Sequence, residues 1–317
     1  MGIRGLTSLL KKNASGCITE TKLDHISGSK LAIDTSILLY KYSSFNKLEN
    51  SHIIGFINKT ILYLSKGITP IYVFDGKPPI EKNKIINERK ENKRKIYAKI
   101  EELEEDFKNN GGDWKLTKIN ELKSQIIKIT PNIISDIKKL MGILGVPIID
   151  STTDAEKTCA QLQHSGFVDY VVTDDTDAFT FNAKKVIKIK QNKDKIFIWD
   201  LDVILKEMDM SYDSFVDLCI LSGCDYCPTI QRVGPVTSYN LIKKYKNIES
   251  ILENNSNYTI PENYLENFNK SRNIFKEKLD LPCIPPKTPF KEQEFIAFLK
   301  EKNFNDKIIQ KYISKIN

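Results

Sequence analysis

Short apolar runs that end at an acid recur along the chain. Leu31-Ala32-Ile33 stops at Asp34, Ile71-Tyr72-Val73-Phe74 stops at Asp75, and Tyr170-Val171-Val172-Thr173 leads into Asp174, Asp175 and Asp177. Unbroken apolar runs of this length, rich in β-branched residues, predict buried strands. Between the first two runs the apolar positions from Ile53 to Leu64 predict a helix, so residues 30 to about 80 read as a βαβ unit. Further strands are predicted at Val146 to Asp150, Val186 to Lys190 and Ile196 to Asp200, with a helix from Asp154 to His164 joining two strands. The alternation predicts an α/β fold with a mostly parallel central sheet flanked by helices.

An insertion between the second and third strands breaks that pattern. Residues 82–109 are helical in composition, with Ile96, Ile100, Leu103 and Phe107 at spacings of 4, 3 and 4, and Gly111-Gly112 ends the run. Leu116, Ile119, Leu122 and Ile126 mark a second stripe, and the two stripes predict a helical hairpin. Thr130-Pro131 opens another helix, to about Leu144. After residue 210 the pattern is mainly helical, with Ser211 as a cap, a turn-rich stretch from Gly223 to Pro235, and a helix from Val236 to Lys246. Residues 253–270, rich in Asn and Glu, read as a mobile connection. Pro282 to Pro289 predicts an extended segment before a final helical pair.

Charge narrows the partner class. The 317 residues carry 48 Lys+Arg against 41 Asp+Glu, a net +7, which favours a polyanion. No run of about 18 apolar residues is present, so no membrane span is expected. The opening Met1-Gly2-Ile3-Arg4-Gly5-Leu6 has no secretory apolar core, and the protein is expected to stay inside a cell. Of six cysteines only Cys224 and Cys227 form a C-x-x-C; without a second pair they read as reduced, partly buried thiols rather than zinc ligands. His25, His52 and His164 form no metal motif and receive no chemistry.

The acids at the strand ends carry the chemistry. Residues i and i+2 of a strand point to one side, so Asp175 and Asp177 are expected to reach one small volume, beyond the carboxyl ends where open α/β sheets bind ligands. Two such charges about 4 Å apart repel by roughly 4 kcal/mol at an effective dielectric of 20, so the cluster must take up protons or hold cations. Oxygen-only ligands point to Mg²⁺ or Mn²⁺.

Six blocks, in order, carry a resemblance: Met1 to Leu6; Ala32 to Ser36; Tyr72-Val73-Phe74-Asp75-Gly76-Lys77-Pro78-Pro79; Asp154 to Ala160; Thr173 to Asp177; and Phe215 to Cys227. Together they resemble the flap endonucleases of the XPG structure-specific nuclease superfamily. The resemblance implies a PIN-like nuclease core with an inserted helical arch and a helical C-terminal region containing a helix–two-turn–helix motif. It divides the chain into 1–79, the N-terminal part of the core; 80–129, the arch; 130–209, the rest of the core with metal ligands; and 210–317, the C-terminal DNA-binding region.

By the same resemblance the metal carboxylates are Asp34, Asp75, Asp154, Glu156, Asp175, Asp177 and Asp225, with Asp175 also counted as catalytic. The family has Glu where Asp154 stands; its shorter side chain leaves direct ligation and ligation through water both open, and Asp154 is expected at a helix cap. Two Mg²⁺ ions, or Mn²⁺ in their place, about 4 Å apart would clamp the scissile phosphate and stabilise attacking and leaving oxygens. Lys82, Arg89 and Lys93 fall on one face at spacings of 7 and 4; Lys82 and Arg89 are implied to reach the scissile phosphate, whereas Lys84, Lys90, Lys95 and Lys99 fit a solvated face. The arch would pass a single-stranded 5′ flap. Tyr40 holds the position that stacks on a base, with an ordinary core tyrosine as the alternative.

Gly2 joins the expected DNA contacts. Ile230 to Pro235 resembles the duplex-gripping hairpin, with a possible K⁺, and Gly234, Thr237, Ser238, Lys243 and Lys244 would bind phosphates. Arg232 stands where the family has Gly, and Val236-Thr237 replace a basic pair. The loop from Tyr40 to Ser51 is short for a 3′-flap pocket, and the chain ends at Asn317 without a clear sliding-clamp peptide. The expected activity is a Mg²⁺-dependent 5′ flap endonuclease in DNA replication and repair, acting as a monomer on branched DNA, whether a 5′ flap, a nicked or a gapped duplex. A 5′–3′ exonuclease or gap endonuclease is the rival of the same class, and an inactive junction-binding scaffold the rival of another. The Lys, Asn and Ile content suits an AT-rich genome, so the expected site is a nucleus or a place of viral DNA replication.

Overall fold

A computed structural model describes residues 2–43, 50–126, 129–189, 195–254 and 257–316. Lys190, residues 44–49 of the short loop, and Asn317 fall outside the described residues. The chain forms two compact units, Met1–Thr35 with Tyr63–Lys77 and Val146–Pro286, and Ser36–Leu62 with Pro78–Gly145 and Lys287–Asn317.

The first unit holds a seven-stranded sheet. Its strands are β1 (Ile18–Lys22), β2 (Lys30–Asp34), β3 (Thr69–Phe74), β4 (Ile148–Asp150), β5 (Tyr170–Val172), β6 (Lys185–Ile189) and β7 (Lys195–Asp200), ordered β1-β7-β6-β5-β2-β3-β4. From β6 to β4 every ladder is parallel, whereas β7 pairs antiparallel with both β6 and β1. The sheet is therefore mixed, parallel where it is central. Leu31, Ala32 and Ile33 of β2 are fully buried, as strands covered on both faces require. The edge strand β1, Ile-Thr-Glu-Thr-Lys, is mostly exposed and has no apolar run to announce it.

Helices Leu6–Asn13, Ala155–His164, Tyr212–Ser222 and Tyr264–Lys276 contribute to the core of this unit, together with Phe179, Phe215, Phe268 and Phe275. The last of these helices overturns part of the expected mobile connection at 253–270. Tyr264, Phe268, Ser271 and Phe275 form a buried stripe at spacings of 4, 3 and 4 that the Asn and Glu content disguises. Arg272 of that helix donates to both carboxylate oxygens of Asp217 (2.6 and 2.5 Å) and to those of Glu249, tying three helices.

In the second unit the helical hairpin forms as Asn83–Asn110 and Asp113–Gln125. Ile100, Leu103 and Ile119 are buried between them, with Ile96, Phe107, Leu122 and Ile126 packed alongside. Leu116 does not join this stripe and is 46% exposed. The position one turn before Ile119 is Lys115, which is buried because its ammonium pairs with Asp106 at 2.6 Å. Helices Pro131–Ile143, Glu292–Glu301 and Asp306–Ile316 also belong here; Lys302 binds Asp136 at 2.8 Å, and Thr60 Oγ1 donates to Met141 Sδ at 3.7 Å.

Candidate metal centre

Asp34 is the last residue of β2, Asp75 follows β3, and Asp175 follows β5 by three positions. These strands are neighbours, and the chain leaves β2 towards β3 and β5 towards β6, so the acids sit at the switch point of the sheet. Thr173 links two of them: its Oγ1 donates to Asp34 Oδ2 and accepts from the Asp175 amide, both at 3.1 Å. Asp175 and Asp177 do converge, but not by strand alternation, because β5 ends at Val172. Instead the chain turns, the Asp177 amide donates to Asp175 Oδ1 at 3.1 Å, and Asp177 starts the short helix Asp177–Thr180.

The remaining acids come from helix Ala155–His164 and the turn after Tyr212–Ser222. Asp154 stands at the N-cap of the former, yet its side chain does not cap. Asp75 does so from the neighbouring strand end, its Oδ1 accepting from the Ala155 amide at 2.7 Å, where the helix dipole favours an anion. Asp154 Oδ2 instead accepts from the Tyr226 hydroxyl at 3.0 Å. Burial, and then the Asp154 charge, push the Tyr226 phenol far up, so it remains a donor. Glu156, Asp175 and Asp177 each bring a carboxylate oxygen within 4.8 Å of one another.

Two thiols report where the other charges lie. Burial holds Cys159 protonated, and Asp34, Glu156 and Asp75 push in the same direction. Cys224 is pushed up to about 12, chiefly by burial, with Asp177 and Asp225 adding to the rise. Neutral thiols are poor ligands, and the converging donors are all carboxylate oxygens, so the residues fit hard divalent ions such as Mg²⁺ or Mn²⁺ better than zinc. Cys224 and Cys227 are both free and buried, more deeply than the sequence reading expected.

Gly2 lies beside Asp175 in the same unit. Gly234 is the N-cap of helix Pro235–Tyr245, Thr237 is half-buried, and Lys243 and Lys244 are exposed, lying over the rings of Tyr239 (5.8 Å) and Tyr245 (4.8 Å). Ser238 is fully buried, so its hydroxyl does not face solvent and the phosphate contact expected of it is withdrawn. Arg232 takes φ 64, a left-handed conformation that explains a glycine preference there. Tyr40, Lys82, Arg89 and Lys93 belong to the second unit; Tyr40 is 39% exposed rather than a core residue, and Lys82 immediately precedes the helix that displays Arg89 and Lys93 to solvent.

Thr173 and Tyr226 escaped sequence reasoning although both stand inside the quoted blocks. Lys188 also escaped it: its Nζ donates to the Asp174 carbonyl at 3.3 Å and lies 4.9 Å from the Trp199 ring centroid. Nothing in its own strand marks it.

Two family models match the chain. The XPG N-terminal domain matches residues 1–96 and the XPG I-region residues 145–225. Flap endonuclease 1 of Cryptosporidium parvum is 37% identical over all of this chain and 70% of its own length, and flap endonuclease 1-A of Sorghum bicolor is 36% identical over all of this chain and 86% of its own. The catalytic core of Rad2 in complex with DNA substrate has a TM-score of 0.79 at 20% identity, with 100% of each chain covered. Flap endonuclease-1 from Methanococcus jannaschii has a TM-score of 0.69 at 23% identity, covering 94% of this chain and 95% of that one. At these identities the structures establish the fold, a mixed sheet flanked by helices. With the sequence matches spanning its whole length, the chain belongs to the flap endonuclease family of XPG nucleases.

Proposed function

We propose that this protein is a structure-specific 5′ flap endonuclease that hydrolyses a DNA phosphodiester near a single-strand/duplex junction, in replication and repair. The observation that carries the reading is the convergence of Glu156, Asp175 and Asp177, with Asp34 linked to Asp175 through Thr173; Asp75, Asp154 and Asp225 are assigned to the same centre. Divalent ions held there, Mg²⁺ in the first place, supply Lewis-acid polarisation of the phosphodiester and a more acidic water. The chain's own residues hold and orient the site. Thr173 fixes Asp34 against Asp175, Asp75 is anchored by the helix start, and Tyr226 holds Asp154, which favours ligation by Asp154 in a fixed direction.

Lys82 and Arg89, at the foot of a basic helix, are assigned to the charge that develops on the phosphate, and Lys93 to the flap backbone. Tyr40 offers its exposed ring to a base. Gly2, Gly234, Thr237, Lys243 and Lys244 are assigned to duplex DNA, with a K⁺ ion bound by oxygens of the 230–235 hairpin. The division of the chain into core, arch and C-terminal DNA-binding region, action as a monomer, and work in a nucleus or at viral DNA belong to the same proposal.

Cleavage rates on flap, nicked, gapped and blunt duplexes test it. The flap is expected to be cut fastest; equal rates on all four would favour the exonuclease or gap-endonuclease activity of the superfamily.

A further inference from the structure

Residues 2–6 run from beside Asp175 to the turn-rich stretch 223–235 within the first unit, and they do so without slack. At one end a Cβ built on Gly2 would stand 1.8 Å from Asp175 Oδ1 and 2.9 Å from Thr176 Oγ1, so the bare backbone lies against the carboxylate. Ile3 and Leu6 are buried, 4% and 0% exposed, and pin the segment to the core. Between them the Arg4 amide donates to the Gly223 carbonyl at 3.1 Å, while Arg4 Cδ lies 3.0 Å from where a Cβ on Gly223 would be. At the other end Gly5, at φ +61, would carry a Cβ 2.7 Å from Pro235 Cγ and 3.5 Å from Pro235 Cβ. Pro235 opens helix Pro235–Tyr245, and its ring is stiff.

We propose that the abutment of Gly5 on Pro235 is a gauge that sets the distance between the duplex-gripping hairpin and the metal centre, and so selects which phosphodiester is cut. Gly5 and Pro235 are positioning residues in this scheme and touch no reacting atom. The inference rests on the hairpin's role in holding duplex DNA. Its physical basis is that close-packed elements transmit displacement, and that a shift on the order of 1 Å at a reacting centre can cost about 100-fold in rate. A methyl on Gly5 closes the gauge too far, and loss of the proline ring leaves it too open. Making both changes restores the fit.

The test is single-turnover cleavage of a labelled 5′ flap junction, with products sized at nucleotide resolution, beside junction binding. Gly5→Ala is expected to slow cleavage by about 10- to 100-fold and to add a cut at a neighbouring phosphodiester, with affinity little changed. Pro235→Ala, which avoids the left-handed alanine and keeps the question open should Gly5→Ala fail to fold, is expected to add a second cut as well. Gly5→Ala/Pro235→Ala is expected to return to the single product. Variants that all cut where the unaltered protein cuts, whatever their rates, would overturn the gauge while leaving the flap endonuclease reading intact. An unaltered protein that cuts no flap would overturn both.

Discussion

Tyr226 bears on the metal centre through its 3.0 Å hydrogen bond to Asp154 and through a phenol that burial keeps protonated. The chain has the shorter Asp154 at this place, and an oriented carboxylate can hold a ligand geometry that a freely rotating one cannot. Tyr226→Phe removes the donor and keeps the ring packed against Phe275. We expect it to lower activity at limiting Mg²⁺ by about 10- to 100-fold, and the loss to shrink as Mg²⁺ is raised. A titration of rate against Mg²⁺ checks this; a loss independent of the ion would assign Tyr226 to packing instead. At this scale the apolar runs marked Asp34, Asp75, Asp175 and Asp177, whereas Asp154, Glu156 and Asp225 were named only through the resemblance. Sequence reasoning did not name Tyr226 or Thr173, since a buried phenol and a strand-end threonine look the same whether they orient a ligand or only fill a core.

Elements follow the same division between what a local pattern carries and what only packing decides. The central strands were legible as unbroken apolar runs, and the hairpin as two stripes at helical spacing. Edge strand β1 was not, because its residues are mostly exposed and its pairing with β7 joins partners far apart in the chain, from Ile18 with Trp199 to Lys22 with Lys195. Helix Tyr264–Lys276 was hidden by polar composition, and part of what holds it is remote: Arg272 binds Asp217, which is 3% exposed, and Glu249. Arg272→Met would leave Asp217 buried without its cation, and we expect a loss of about 3 kcal/mol in chemical denaturation. Loss below a few tenths would mean the tie is incidental.

Helix Ser51–Ser65 carries a second consequence. Burial holds His52 below its ordinary value of 6.5, Asp136 opposing and Lys302 adding to the shift. As pH falls through 6.5 the unfolded chain takes up a proton that the folded chain resists, so stability is full above that value and is lost below it. Denaturation midpoints at about pH 7.5 and 5.5 should therefore differ less in His52→Gln than in the unaltered protein; an equal difference would remove His52 as the cause.

For the whole molecule, the chain carries a net +7 even with seven acids assigned to the metal centre, a balance that favours a polyanionic partner. Binding driven by phosphates should weaken steeply with salt, by about 1,000-fold or more between roughly 50 and 200 mM where six phosphates are held. The family, a mostly parallel central sheet flanked by helices and the strand-end acids are legible in the sequence; the antiparallel β7 and β1 that make the sheet mixed are not. Nor is the second unit's make-up, because residues 36–62, 78–145 and 287–317 are far apart in the chain and meet only through tertiary packing. The most direct measurement of the central claim is Mg²⁺-dependent cleavage of a 5′-labelled flap junction by the unaltered protein and by Asp175→Ala. We predict one released oligonucleotide, cut within about a nucleotide of the junction and abolished in Asp175→Ala while junction binding persists. A ladder of mononucleotides, or full activity in Asp175→Ala, would contradict the account.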